Sequence, residues 1–178
     1  MNFEEGFLKD CIKRLKYYKD LGDKTFEQLS DKDFSYAPND ESNSITVIVK
    51  HMHGNMLSRF TNFLTEDGEK EWRQRDAEFD SSKKSKQEVL NLWNEGWNCV
   101  FNALENLQPA DVTKTIYIRT EPLFVYDAIL RQLAHYPHHV GQILYIGKML
   151  RGKDWKTLSI PVGGSKEFNK QMASSTKQ

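Results

Sequence analysis

Apolar residues recur along this chain at three- and four-residue steps, broken by polar stretches, and that rhythm predicts helices. Phe3, Phe7, Cys11, Ile12, Leu15 and Tyr18 trace a first amphipathic helix ending near Leu21 and Gly22, with a short helical piece from Thr25 to Leu29. A turn-rich segment containing Pro38 follows, and Asn43 or Ser44 is placed to cap a second helix. Its apolar positions are Ile45, Ile48, Val49, Met52, Met56, Phe60 and Phe63. The periodicity is lost from Glu66 to Lys86. Trp72 and Phe79 are large and apolar, so an ordered loop packing back on the helices is expected there.

The third helix has the clearest stripe, Val89, Trp93, Trp97, Val100, Phe101, Leu104 and Leu107, and Pro109 stops it. The stripe reads as core, with an interface stripe on Trp93 and Trp97 the less favoured alternative. From Thr113 to Thr120 the chain alternates and is rich in β-branched residues, which predicts a short strand or extended segment that cannot make a sheet alone. A fourth helix is expected from about Leu123 to Arg151, distorted at Pro137, which lacks an N–H and crowds the carbonyl of Leu133. Four amphipathic helices with little sheet predict an all-α four-helix bundle, one domain over residues 1–170 and a frayed polar tail over 171–178.

Charge narrows the choice of partners. Lys plus Arg and Asp plus Glu both number 25, a formal net charge of zero, which argues against nucleic acid as a partner. The basic run Lys83, Lys84, Lys86 follows Asp76, Glu78 and Asp80 and reads as a solvated linker. Cys11 and Cys99 sit at apolar-periodic positions without a CxxC partner, so both are expected to be buried, inert thiols in a reducing compartment. The N-terminus is acidic and amphipathic, unlike a signal peptide, and no apolar run approaches the roughly 20 residues of a membrane span. A soluble, cytoplasmic protein without a membrane partner is the expectation.

The candidate chemistry lies in histidine. All five histidines fall in two clusters, His51 and His53, then His135, His138 and His139. Residues four apart on a helix stack on one face, so His135 and His139 can chelate one divalent metal, with a third imidazole supplied by the second helix. At 100° per residue, His135, His139 and Gln142 lie within about 60° of one another, with Arg131 and His138 at the edge of that sector. His51 shares a face with Ser44, Asn55, Ser58 and Asn62, roughly opposite His53, so one of the two can join the site. Spacing leaves both open: His53 is nearer the centre of the apolar stripe, while His51 belongs to a polar stripe. Half-buried histidines engaged in hydrogen bonds are the non-metal alternative for the whole set.

These segments resemble a known family. NSITVIVKHMHGN is similar to the second-helix motif of the DinB-like (YfiT-like) metalloenzyme superfamily, in which a ligand histidine follows a Ser-Ile/Val pair by six residues; Ile45 plus six is His51. LRQLAHYPHHVGQILYIGKML resembles that superfamily's fourth-helix motif, a His-x-x-x-His pair before a Gly-Gln, here His135, His139, Gly141 and Gln142. SRFTNFLTEDGEKEWRQRDAEF and IYIRTEPLFVYDAILRQLAHY look like a bacterial subfamily of unknown function within it, so the likeness spans roughly Asn2 to Asn169. One departure is Val140, where many relatives carry Arg, which puts any substrate-binding role of that Arg in doubt here.

The resemblance implies a DinB-like four-helix bundle and a metal held by His51, His135 and His139, with His53 and His138 in supporting or surface roles. Three imidazoles with an open position are a catalytic ligand set, since a structural zinc site is closed by four protein ligands. Zinc or nickel is expected. Characterised relatives include thiol transferases using bacillithiol or mycothiol, so the implied activity is a metal-dependent transfer that activates a low-molecular-weight thiol cosubstrate. The alternatives are a hydrolase using metal-bound water and a non-catalytic metal-binding or dimerisation module. Gln142, Arg131 and Asn55 are candidates for holding the cosubstrate or substrate. No carboxylate stands at a His-Glu-x-x-His offset, and Asp127, then Glu121, are the candidate partners for a ligand histidine. A homodimer is the assembly common in that superfamily.

Overall fold

The structure is a computed structural model that describes residues 2–175. It is mostly helical, in keeping with the expected all-α class, and its described residues also include a single two-stranded sheet. The elements are α1 (Phe3–Glu27), α2 (Ile45–Phe60), α3 (Lys86–Glu105), β1 (Thr115–Ile118), β2 (Glu121–Phe124), α4 (Val125–Arg151) and α5 (Ser165–Ser175). Local chemistry starts the first three helices. Asn2 with Glu5 and Ser85 with Glu88 form capping boxes on α1 and α3, and Ser44 accepts a hydrogen bond from the Val47 N–H at the start of α2.

α1 packs on α4 and α3, and α2 packs on α3 and α4, around one apolar core. Leu15, Ile45, Val89, Trp97, Val100, Ile129 and Ile143 are among its fully buried members. Burying a side chain of this size stabilises the fold by about 1.5–3 kcal/mol relative to leaving it in water. Trp93 and Trp97 both lie in this core, and the Trp93 indole N–H donates to Asp23 at 2.7 Å.

Several sequence expectations need correction. α1 does not end at Leu21 and Gly22 but continues to Glu27. Gly22 is there for clearance: a Cβ on it would fall 2.4 Å from the Trp93 ring. The extended segment before α4 is not solitary. β1 pairs antiparallel with β2, Thr115 opposite Phe124 and Ile118 opposite Glu121, and β2 takes up residues expected at the start of the fourth helix, which begins at Val125. Trp72 is not packed away: it is 54% exposed, because the loop it sits in is anchored by polar groups instead. Cys11 is buried as expected, whereas Cys99 is only half-buried.

The hairpin turn is unusual. Its two central residues, Arg119 and Thr120, both have positive φ (56° and 63°) without being glycine, a conformation costing about 1 kcal/mol or more for each residue. Asp67 offsets that cost, accepting the backbone N–H of Arg119 and of Thr120 at 2.8 Å each. The Gly68 N–H donates to Tyr117 O at 2.8 Å, and Ser58 Oγ donates to Gly68 O at 2.6 Å. The stretch between α2 and α3 is therefore ordered and pinned to both α2 and the hairpin. The last cation of the basic run, Lys86, opens α3 and is not solvated linker: its Nζ donates to the Phe26 and Leu29 carbonyls (2.8 and 2.7 Å) where α1 ends.

α4 runs through Pro137 without interruption. No helix among the described residues is long and apolar enough to cross a membrane. Residues 171–175, expected in a frayed tail, belong to α5, and 176–178 lie outside the described residues.

Candidate metal centre

His51 on α2 and His135 and His139 on α4 come together, each with a ligand atom within 4.8 Å of the others. His135 Nε2 lies 3.3 Å from His51 Nε2 and 3.0 Å from His139 Nε2. The other ring nitrogen of each histidine faces an oxygen. His51 Nδ1 is 3.0 Å from Glu78 Oε2, His139 Nδ1 is 2.8 Å from Gln142 Oε1, and His135 Nδ1 is 3.4 Å from Gln132 Oε1.

That pattern suits one tautomer of each ring. An ionised carboxylate accepts only, so His51 carries its proton on Nδ1 and presents a lone pair at Nε2. With the Gln132 and Gln142 side-chain oxygens accepting from the other two rings, the three Nε2 atoms that come together would each offer a lone pair to an ion. Neutral imidazoles with a lone pair on one nitrogen and an oxygen acceptor behind the other are what a bound divalent ion requires. The donor set therefore fits a metal.

The electrostatics agree. Burial, followed by the neighbouring His139 and His51 charges, pushes His135 down to about 3, so its ring is neutral across the physiological range. Burial likewise lowers His139, against the opposing effect of the hydrogen bond its ring donates to Gln142. Burial acts to raise Glu78, but its hydrogen bond to His51 and its pairing with Arg73 outweigh that, and the carboxyl sits below its ordinary range.

Glu78 is the residue that spacing missed. It comes from the 3₁₀ turn Asp76–Phe79 in the loop after α2. Arg73 clamps it with two hydrogen bonds, Nε to Oε1 at 2.8 Å and Nη2 to Oε2 at 3.0 Å, and both side chains are buried. The loop comes this close because position 54 is glycine: a Cβ there would lie 2.2 Å from Glu78 Oε1. The one available signal was that glycine, three residues after His51 in the middle of a helix. Asp127 and Glu121, the expected carboxylate partners, are both exposed and make no hydrogen bond to a histidine among the described residues.

The remaining candidates separate cleanly. His53 is half-buried, and its Nε2 lies 3.0 Å from Glu95 Oε2 on α3, away from the centre. His138 is exposed, its ring 5.3 Å from that of His139. Gln142 orients His139. Asn55 is buried and accepts the Tyr136 hydroxyl at 3.1 Å. Asn55 and Arg131 line a cavity of about 320 Å³ that opens onto His51 and His135. The two thiols lie elsewhere, and burial raises both, Cys11 to about 11. A groove of about 950 Å³ along α3 and the end of α2 includes Cys99 but none of the histidines.

No curated protein and no solved structure is significantly similar to the chain. One protein family, described as "Protein of unknown function (DUF1572)", matches residues 2–164, nearly the whole length. The chain belongs to the DUF1572 family.

Proposed function

We propose that His51, His135 and His139 hold one divalent metal, zinc or nickel, with a position left open, and that the protein is a metal-dependent enzyme transferring a low-molecular-weight thiol to an electrophile. The observation that carries the metal reading is the convergence of three Nε2 atoms whose partner nitrogens each face a side-chain oxygen. Thiol transfer, and a DinB-like four-helix bundle as the finer description of the fold, are supported by the likeness of the His51 segment and of the His135 to Gln142 segment to that superfamily.

A divalent ion at three imidazoles supplies a Lewis acid that lowers the pKa of a bound water or thiol. The chain's own groups orient the three rings, through Glu78, Gln132 and Gln142, and shield His51 under the Phe79 ring, whose centroid lies 5.1 Å away. In transfer, the thiol proton goes to solvent, sulfur forms a bond to the electrophilic carbon, and the leaving group departs with its electron pair. Glu78 is held by both His51 and Arg73. It is thus poorly placed as a free general base for water attack, which favours transfer over hydrolysis.

Metal analysis of the purified protein, followed by turnover of bacillithiol with a bimane-type electrophile, tests this reading. About one equivalent of metal, lost in His135→Ala, with thiol-dependent turnover is the expected result. Negligible metal unaffected by that substitution sinks the enzyme reading, and metal without thiol-dependent turnover sinks the transferase.

A further inference from the structure

The cavity beside the histidines has a composition that the metal does not explain. Five arginines line it, Arg59, Arg73, Arg75, Arg119 and Arg131, together with His51 and His135. Two carboxylates reach these guanidiniums. Glu78 is taken by Arg73, and Glu69 is shared between Arg59 (3.1 Å) and Arg119 (2.9 Å). Arg75 lies over the Phe79 ring at 5.2 Å, and among the described residues neither it nor Arg131 has a carboxylate partner. The cavity therefore carries a clear positive excess in a chain whose net charge is zero.

Concentrating like charge is unfavourable, and guanidiniums gathered around a concave space act on what enters it. The protein also spends backbone conformation to build this wall. Arg119 joins the lining from a hairpin that turns through two non-glycine residues of positive φ, held by Asp67. Arg59, on α2, is buried with its guanidinium on Ser58 Oγ, Gly68 O and Glu69, so it is fixed rather than free to swing into solvent. A guanidinium presents a planar fork of N–H donors, which matches the paired oxygens of a carboxylate or phosphate.

We propose that this cavity is an oxyanion subsite, taking the carboxylate or phosphate of a small substrate whose other end reaches the open position at the three histidines. The inference deepens the metal-centre reading and rests on it for where the reacting end lies. The anion itself binds through arginine, with or without the ion. A volume of about 320 Å³ suits a small metabolite rather than a peptide side or a nucleic-acid strand.

The test is calorimetric titration of the full chain, zinc-loaded and chelator-stripped, with succinate, with inorganic phosphate and with neutral succinamide. Saturable binding of succinate or phosphate and none of succinamide is expected, and the stronger of the two identifies the oxyanion. Arg75→Gln combined with Arg131→Gln, both exposed positions, should weaken it by about tenfold or more while far-ultraviolet circular dichroism and metal content stay unchanged. Failure of both anions to saturate at millimolar concentration overturns the proposal, as does an affinity indifferent to the double substitution. Anion binding in a protein that takes up no metal would sink the metal centre alone, and metal uptake without anion binding would sink the subsite alone.

Discussion

Glu78 Oε2 sits 3.0 Å from His51 Nδ1, joining a loop residue to a helical histidine 27 positions earlier in the chain. Through it the loop reaches the centre, since Arg73 fixes the carboxylate through both of its oxygens. Glu78→Gln removes the negative charge while keeping the shape. Metal affinity should fall by about 10–100-fold, as for other carboxylates behind a ligand imidazole. Arg73, left buried without an anion, should cost a further 3–5 kcal/mol or so of stability. Competition against a coloured chelator and a urea melt read the two effects separately.

Gly54→Ala tests the clearance that admits Glu78. On propensity alone alanine should stabilise the middle of a helix by about 1 kcal/mol. Here the added Cβ would lie 2.2 Å from Glu78 Oε1, so the expected outcome is a lower melting temperature and weaker metal binding. A rise in melting temperature with metal affinity intact would show that Glu78 is not held where it is seen.

In metal-free protein, stability should depend on pH through His135 and His139 on α4. His135 binds a proton near 6.5 when unfolded but only at about 3 when folded. Between those values the unfolded chain holds more protons. The contribution from neutral His135 is therefore complete above pH 6.5 and is lost as pH falls towards 3, with a slope of at most about 1.4 kcal/mol per pH unit for one imidazole. His139, also lowered, acts in the same direction. Denaturant melts across this window should show the decline, and His135→Ala should flatten it.

The hairpin turn offers a stabilising change. Thr120 has φ 63°, and Thr120→Gly removes the steric cost of that conformation. The gain should be several tenths to about 1 kcal/mol, partly offset by the freedom glycine gains when unfolded. Asp67→Ala removes the acceptor of two turn N–H groups and should cost about 1–3 kcal/mol. Combining the two should recover part of that loss, as a chemical melt of the three variants would show.

The long helices were readable because apolar spacing in α1 to α4 records which side chains face the core. His135 and His139 were readable for the same reason, a four-residue step along one helix. His51 against His53 was not decided by periodicity. Both lie on α2, and what separates them is a contact with a loop that has no period of its own: Glu78 reaches His51, while Glu95 takes His53. Glu78 is not legible from spacing because its partner, Arg73, is part of the same irregular segment. The β1–β2 pairing escaped notice because Arg119-Thr120 lacks the Asn-Gly or Asp-Gly signature of a two-residue hairpin, and its support comes from Asp67, more than fifty positions away.

His51 and His135 are 84 residues apart in sequence, and that separation bears on kinetics. Closing so long a stretch of chain precedes any shared coordination. Only the His135–His139 pair is local in sequence, so the unfolded polypeptide cannot offer the full three-histidine set. Metal should therefore leave the refolding rate almost unchanged and slow unfolding instead, making the ion a latch on the finished molecule rather than a guide to its assembly.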